Sequence, residues 1–445
     1  MRNIKTTKAG AKDPFLHFKL PTMLTLLLAL SLKGILSFFS SSSDAPLVQA
    51  AEINNLYQPT YRTAYYDQEI AFWSTKLEDS PEQLTFALQL ANAYEARFSA
   101  FAFINDLKEA EDLLTNGLAA ATLQRTTFLR ALARNYISQH RFQEALILAE
   151  EAMSRSDNQL ASTYLLFDVM MELGQYEEAE MLLQKMYTKG GFAYLIRKAK
   201  WEDYKGNLAF AIARLEEAKD ALDPLNDKTQ AIWLYSNLAD FYGHQGAVEK
   251  AYEHYRMTLA LDPGNWYAYK GLAWMAYAHD NNPSMAREMI HQIMRHNDSP
   301  DLHLLLAEVF THEGNQACAT DEKETFRLTT ATPSYGHMYR IPTCEMELEK
   351  FRKQNALALA LAEVRERPTP ETYDLLAYAY FHNGSVTAAQ EVAMQHVWQK
   401  TFEPVAMMHL REIFPYNEEI QAFTKEELAG AAFEIGPVAF AEIQF

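Results

Sequence analysis

Cysteine is scarce in this sequence: the 445 residues include two, both in the C-terminal half. This excludes a scaffold built on many disulfides, and no Cys-x-x-Cys pair indicates a redox or structural zinc motif. A Gly-rich phosphate loop, a Gly-x-Ser-x-Gly nucleophile elbow and a His-Glu-x-x-His zinc helix are absent too. We therefore expect a protein that is not an enzyme and that holds no metal and no cofactor.

Apolar stretches long enough to cross a membrane are missing as well. Residues 23–32 form one apolar run, but Lys33 ends it after ten residues, whereas a spanning helix needs about 20. Basic residues precede this run and small residues follow it, which is typical of a secretory signal peptide over residues 1–50, cleaved after Ala50. We expect an exported protein, either periplasmic, envelope-associated or secreted. The alternative is membrane anchoring by residues 23–39.

Acidic residues outnumber basic ones by 58 to 40, which gives a net charge of −18. Residues 1–50 carry a net charge of +4, so the rest of the chain carries −22. Such an acidic body repels phosphates before any contact forms, and we expect no nucleic-acid partner. The hydrophobic content of 49% nevertheless predicts a folded chain.

From about residue 84 the sequence repeats itself with a period near 34, as between Ala145 and Ala179. The clearest unit is AIWLYSNLADFYGHQGAVEKAYEHYRMTLALDP. Large apolar residues three or four apart put one stripe on each of two helices, and small residues let the helices approach closely. Gly246 reverses the chain between them, and Pro263 ends the second helix. Each unit therefore predicts a pair of helices, and a chain of such units predicts a solenoid.

This unit resembles the tetratricopeptide repeat (TPR). The resemblance implies an all-α fold, a right-handed superhelical solenoid of antiparallel helix pairs with about seven to eight TPR-like repeats. We expect a capping helix over residues 51–83, the solenoid over 84–402, and a C-terminal cap or tail over 403–445. The residues that carry the resemblance are Leu238, Ala239, Tyr242, Gly246, Ala251, Tyr255, Leu259 and Pro263.

One stretch departs from the repeat, because the sequence pattern places the partner of the helix near residue 306 about thirty residues late. We interpret residues 315–344 as an inserted loop, and such long loops are usually functional or disordered. Cys318 and Cys344 lie at its two ends. In an oxidising compartment they would form a disulfide worth roughly 3–4 kcal/mol. Two free thiols are the alternative.

Repeats of this family usually bind extended peptides on the concave side, which is lined by the first helix of each pair. The resemblance therefore implies a non-enzymatic scaffold that binds a partner protein or peptide in this groove. Arginines beside aromatic rings would suit an acidic or C-terminal peptide, since guanidinium groups bind carboxylates through two hydrogen bonds. The alternative function is an accessory or regulatory subunit of an envelope enzyme or transporter that docks through residues 315–344. The family register places these residues in the groove: Arg130, Arg134, Tyr164, Arg197, Lys200, Trp233, Asn237, Lys270, Trp274 and Tyr277.

Overall fold

The computed structural model describes residues 46–155, 157–187, 190–350 and 352–443. Within these ranges the chain forms 23 α-helices and one short 3-10 helix, and it has no strand. The first twelve helices are α1 (Ala50–Leu56), α2 (Thr60–Asp79), α3 (Leu84–Phe101), α4 (Ile104–Ala120), α5 (Arg125–Ser138), α6 (Phe142–Ser154), α7 (Gln159–Glu172), α8 (Tyr176–Tyr187), α9 (Phe192–Tyr204), α10 (Leu208–Asp220), α11 (Lys228–His244) and α12 (Val248–Leu261). The remainder are α13 (Trp266–Ala278), α14 (Pro283–Met294), α15 (Asp301–His312), α16 (Gln316–Thr330), the 3-10 helix Pro333–Tyr335, α17 (Arg340–Glu349), α18 (Lys353–Glu366), α19 (Pro370–His382), α20 (Val386–His396), α21 (Pro404–Ile413), α22 (Glu418–Leu428) and α23 (Ala432–Glu442).

Consecutive helices pack against each other in pairs. The described residues contain ten such pairs, from α3 with α4 to α21 with α22. The predicted all-α solenoid of helix pairs is therefore confirmed, with more pairs than the sequence indicated. The alanines at the equivalent position of the second helix are fully buried, which lets the paired backbones approach. They are Ala145, Ala179, Ala211, Ala251, Ala286 and Ala389.

The turn inside most pairs contains one residue with a left-handed backbone. Gly246 has φ 74° there and Gly384 has φ 82°, a conformation that glycine adopts without a steric penalty. In three other pairs Ala102 (φ 56°), His140 (φ 57°) and Asn281 (φ 51°) take the place of the glycine. The turn geometry is thus kept even where the sequence motif is lost.

The segment before the first pair consists of two helices and does more than cap the solenoid. Helix α2 packs on α3, the first helix of the first pair. Helix α1 instead joins the largest apolar core, which spans α9 to α15. Ile53 is fully buried there, and the Tyr57 ring stacks on the Tyr269 ring at 3.9 Å between centroids. Just before α1, the backbone N–H groups of Leu47 and Val48 donate to the carboxylate of Asp280.

The predicted inserted loop at residues 315–344 is wrong. Helix α16 follows α15 directly and packs against it as the second helix of an ordinary pair, with Ala319 buried at the contact. Helices α17 and α18 then form a further pair. What separates the two pairs is the 3-10 helix and its flanking turns, so the extra residues form one more repeat.

The predicted disulfide between Cys318 and Cys344 is not formed, because the two cysteines belong to different helix pairs. Cys318 lies in the first turn of α16 and is partly exposed. Cys344 is fully buried in α17, and its thiol donates to the carbonyl of Ala356 at 3.1 Å. Burial raises the pKa of the Cys344 thiol to about 12, which disfavours the reactive thiolate.

Most of the predicted signal peptide, residues 1–45, lies outside the described residues, as does the alternative anchor at residues 23–39. In the part of the chain that the structure describes, no helix has the length and apolarity needed to span a bilayer. Leu47 and Val48, which precede the predicted cleavage site, are described, and Val48 is 1% exposed.

Candidate functional site

The predicted groove residues fall into two groups in the structure. One group lies on α5, α7 and α9 and contains the basic residues. The other lies on α11 and α13 and is mainly aromatic. The two groups have different surroundings. The first comprises Arg130, Arg134, Tyr164, Arg197 and Lys200, and the second comprises Trp233, Asn237, Lys270, Trp274 and Tyr277.

Two of the four cations of the first group, Arg197 and Lys200, already have an acidic partner on the preceding repeat. Arg197 pairs with Asp168 at 2.6 Å, and its guanidinium lies 4.5 Å from the centre of the Tyr164 ring. Lys200 pairs with Glu172 at 2.7 Å. These charges therefore hold neighbouring repeats together.

Arg130 is 8% exposed and donates to the hydroxyl of Ser162 at 3.3 Å. It lies between two repeats, and its guanidinium is not offered to a ligand. The prediction of a groove position for this residue came from the family register. The register gives the helix face but not the depth to which the next helix covers it.

Arg134 differs from the other cations of this group. Among the described residues its guanidinium forms no ion pair and no hydrogen bond, and Glu95 acts on it only through its charge. Burial lowers the pKa of this guanidinium, against the opposing effect of Glu95. The Arg134 side chain is nevertheless exposed at the surface, so an anionic ligand can reach this unpaired cation.

Two cavities meet at Arg134, and both are lined by Arg134 and Ser138. The first has a volume of about 480 Å³. The second has a volume of about 520 Å³ and includes the paired residues Arg197 and Lys200. We call the two together the Arg134 cleft. The rest of the first cavity is lined mainly by Glu95, Phe98, Ser99, Trp266, Asp301, Tyr335, Met338 and Tyr339, and that of the second by Ile137, Tyr164, Leu165, Asp168 and Glu172.

The first cavity is closed by residues that are distant in sequence. The indole N–H of Trp266 donates to the carbonyl of Ser99 at 3.0 Å. The backbone N–H of Asp298 donates to the carbonyl of Phe101 at 2.9 Å. The end of α3 therefore lies against the start of α13 and the loop before α15. A local sequence pattern contains no signal for this contact.

A similar contact joins the α7–α8 turn to the α18–α19 loop. Arg367 pairs with Glu172 at 2.9 Å and also donates to its carbonyl. At the same turn, Gly174 has φ 68°, and an ideal Cβ on it would lie 2.4 Å from the carbonyl oxygen of Pro368. Only glycine fits this approach without displacing the backbone.

Two members of the second group, Trp274 and Tyr277, are covered by the chain's own C-terminal helix, α23. The indole N–H of Trp274 donates to the carbonyl of Phe433 at 2.8 Å. The hydroxyl of Tyr277 accepts the backbone N–H of Val438 and donates to Glu308 at 3.2 Å. Because α23 packs against α11, α13 and α15, we call these three helices with their facing side chains the tail groove.

The hydrogen bonds and ring contacts described for the remaining three members are with residues outside α23. Trp233 is 43% exposed, and its ring lies edge-on to Phe192 at 6.2 Å. The side chain of Asn237 donates to the carbonyl of Trp233 on its own helix. Lys270 lies near the ring of Tyr267 at 5.1 Å. Trp233 is thus the most open aromatic side chain of the predicted set.

Several carboxylates lie close together at the N-terminal end of α23. Glu434 pairs with His244 at 2.8 Å. Although burial alone would lower it, the hydrogen bond and the charge of Glu434, with smaller effects of Glu403 and Asp240, raise the pKa of His244 to about 9. Burial raises the pKa of Glu403 to about 7, and the negative charges of Glu434, Glu371 and Asp203 act in the same direction. The charge of His244 opposes them.

The arrangement offers binding chemistry more readily than catalysis. Within the described ranges no three His, Cys, Asp or Glu side chains come close enough to hold a metal ion. The Arg134 cleft provides one unpaired cation among aromatic walls, and the tail groove provides an indole donor and a histidine. Sequence reasoning missed Glu95, His244 and the whole of α23 as parts of these surfaces, because each reaches its place through tertiary contacts.

Comparison with known proteins gives a partial likeness to solved structures. No protein-family model matches the chain, and no curated protein matches it. Among solved structures, it is similar to a tetratricopeptide repeat protein from Parabacteroides merdae ATCC 43184, with 16% identity, a TM-score of 0.37, and coverage of 53% of this chain and 92% of that one. It is also similar to the human IFIT1 dimer with PPP-AAAA, with 14% identity, a TM-score of 0.44, and coverage of 74% and 94%. A third similar structure is the APC/C hetero-tetramer Cut9-Hcn1, with 13% identity, a TM-score of 0.31, and coverage of 93% and 98%. At these scores the fold assignment rests on the helix pairing of this chain itself.

Proposed function

We propose that this protein is a non-enzymatic scaffold that binds a partner protein through a peptide carboxylate in the Arg134 cleft. The observation that carries the proposal is the exposed Arg134 guanidinium, which lies where the two cavities meet and has no ion-pair partner within the described residues. A bound carboxylate would give this guanidinium a counter-charge and two hydrogen bonds.

The shape of the cleft agrees with an extended peptide. Arg134 lies where the two cavities meet, so a chain running through both would place a carboxylate beside it. Aromatic side chains of the first cavity, among them Phe98, Trp266 and Tyr335, provide apolar area for neighbouring peptide side chains. The paired cations of the second cavity are less available, because binding there would have to compete with Asp168 and Glu172.

Export forms part of the same proposal and rests on the sequence pattern of residues 1–50. N-terminal sequencing of the protein from its native host tests it. A mature chain that begins near residue 51 in an exported fraction supports the signal peptide. An intact N-terminus in a membrane fraction would favour the anchor at residues 23–39, and an intact N-terminus in the cytosol would refute export.

The binding proposal is tested with peptides that differ only in charge. An array of short peptides with a free C-terminal carboxylate is compared with the same peptides amidated at the C-terminus. We expect a subset to bind through the free carboxylate and Arg134→Gln to weaken its binding about 10- to 100-fold, since a hydrogen bond to a charged group contributes about 1.5–3 kcal/mol.

Arg295→Gln is the matched control, because Arg295 is exposed and lines none of the cavities described above. The control should bind like the wild-type protein. Equal affinity of the wild type and Arg134→Gln for every peptide that binds would refute the role of Arg134. Peptides with internal acidic residues, amidated at the C-terminus, distinguish an acidic side chain from a terminal carboxylate as the bound group.

A further inference from the structure

Helix α23 occupies the tail groove in the manner of a ligand. Its backbone forms two hydrogen bonds with the groove, since the carbonyl of Phe433 accepts from Trp274 and the N–H of Val438 donates to Tyr277. The ring of Phe433 lies against Gly243, where an added Cβ would come within 2.9 Å of it. The groove therefore binds one aromatic ring and a short stretch of backbone.

The middle of α23 is not helical. Gly436 has φ 82° and ψ 161° and is followed by Pro437. An ideal Cβ on Gly436 would lie 2.4 Å from a carboxylate oxygen of Glu308 and 2.8 Å from the Trp274 ring. A Gly-Pro break is thus required for the segment to pass between these two side chains.

Helix α23 is held less firmly than the helices of the solenoid. None of its described side chains is fully buried, whereas each paired solenoid helix contributes at least one buried side chain. Its connection to α22 is three residues long and contains Gly430, which has open space around it. Segments with few buried apolar contacts open at a low free energy without global unfolding.

The groove also extends beyond what α23 fills. A cavity of about 310 Å³ lies beside it, lined by Trp274 and Glu434 together with Asp240, Tyr267 and Lys270. A longer peptide would contact these side chains in addition to the positions that α23 covers.

We propose that the tail groove is a second binding surface, separate from the Arg134 cleft, and that α23 is its tethered competitor. Its partner is a protein segment with the chemistry of α23: an aromatic residue, then a carboxylate for His244, then a Gly-Pro break. Such a segment binds when it displaces α23 and extends into the adjoining cavity. This proposal does not depend on the role of Arg134.

The test uses the tail itself as the probe. A fluorescein-labelled peptide of residues 429–443 is titrated against the full chain and against a chain that ends at Leu428. We expect saturable binding to the shortened chain and at least about tenfold weaker binding to the full chain, because a tethered competitor acts at a high effective concentration. In the shortened chain, Trp274→Ala should weaken binding at least about tenfold.

Trp233→Ala in the shortened chain is the matched control, since Trp233 is exposed on α11 and its described ring contact is with Phe192 on α9. It should bind the peptide like the parent, and so should Arg134→Gln, which separates this surface from the Arg134 cleft. Absent binding to a folded shortened chain, or equal losses in Trp274→Ala and Trp233→Ala, would overturn the proposal. Loss of the helical circular dichroism on shortening would also overturn it, because α23 would then be a permanent part of the fold.

Discussion

The buried carboxylate of Asp280 holds the N-terminal segment, residues 47–57, against the solenoid. We expect Asp280→Asn to weaken the docking of this segment. The Asp280 side chain is 2% exposed. Its two oxygens accept the backbone N–H of Leu47 at 3.0 Å and that of Val48 at 2.8 Å. Asparagine keeps the shape but replaces one accepting oxygen with an amino group, so that one donor faces another.

The magnitude follows from the two hydrogen bonds. Losing one bond to a charged acceptor costs about 1.5–3 kcal/mol and leaves a buried N–H without a partner. The other bond persists to a neutral acceptor and is about half as strong. We therefore expect the docked segment to lose about 2–4 kcal/mol, which corresponds to about 30- to 1,000-fold more frequent opening.

Amide hydrogen exchange over residues 47–57 measures this opening directly. Asp112→Asn is the control, because Asp112 is exposed on α4 and forms no hydrogen bond or ion pair within the described residues. Exchange in residues 47–57 should accelerate in Asp280→Asn and stay unchanged in Asp112→Asn. Equal exchange in Asp280→Asn and the wild type would refute the reasoning. Cleavage after Ala50 would remove both donors, so the same assay shows what the segment contributes before processing.

Two further predictions concern the contacts between distant parts of the chain. Gly174→Ala should destabilise the protein by about 3 kcal/mol, because Gly174 has a left-handed backbone and an added Cβ would clash with the Pro368 carbonyl. Gly190 also has a left-handed backbone but lies in open space, so Gly190→Ala should cost about 1 kcal/mol. Equal urea midpoints for the two variants would contradict the steric argument. Docking of α23 should weaken as the pH rises from about 4.5 to about 9, because the docked state raises the pKa of Glu403 from 4.5 to about 7 and that of His244 from 6.5 to about 9. The contribution of Glu403 is present below pH 4.5 and is lost as the pH rises through about 7, and that of His244 is present below pH 6.5 and is lost as the pH rises through about 9. Exchange protection of α23 that stays constant or increases over this range would contradict the prediction.

The helix pairs were predictable from the sequence because their packing is local. Ala145 and Ala179 contact the helix that precedes them in the chain, so the repeat period alone places them in the core. The same argument should have identified α16. Ala319 lies 33 residues after Ala286 and is 3% exposed, which continues the register through the region that was interpreted as a loop. The polar composition of α16 concealed this signal.

The positions of the candidate sites were less predictable, because they depend on contacts between distant parts of the chain. The register correctly places Arg134 and Trp274 on the first helices of their pairs. It contains no information that α3 packs near α15 or that α23 returns to the tail groove. Those contacts depend on how the superhelix brings distant repeats together, and that property is the sum of many small angles between neighbouring pairs.

The pairing of charges between repeats explains a difference between prediction and structure. The repeat register predicts more ligand-binding side chains in the groove than the structure leaves available. Equivalent positions on successive first helices are neighbours in space, so a basic residue at one position and an acidic residue near its equivalent one repeat earlier form an ion pair. Arg197 with Asp168 and Lys200 with Glu172 are such pairs. Each pair stabilises the contact between two repeats and removes a cation from recognition. Arg130 and Arg134 form no such pair: Arg130 donates to the hydroxyl of Ser162, and Glu95, one repeat before Arg134, is held by Asn135. A selective groove in this protein therefore arises where the pairing between repeats is incomplete.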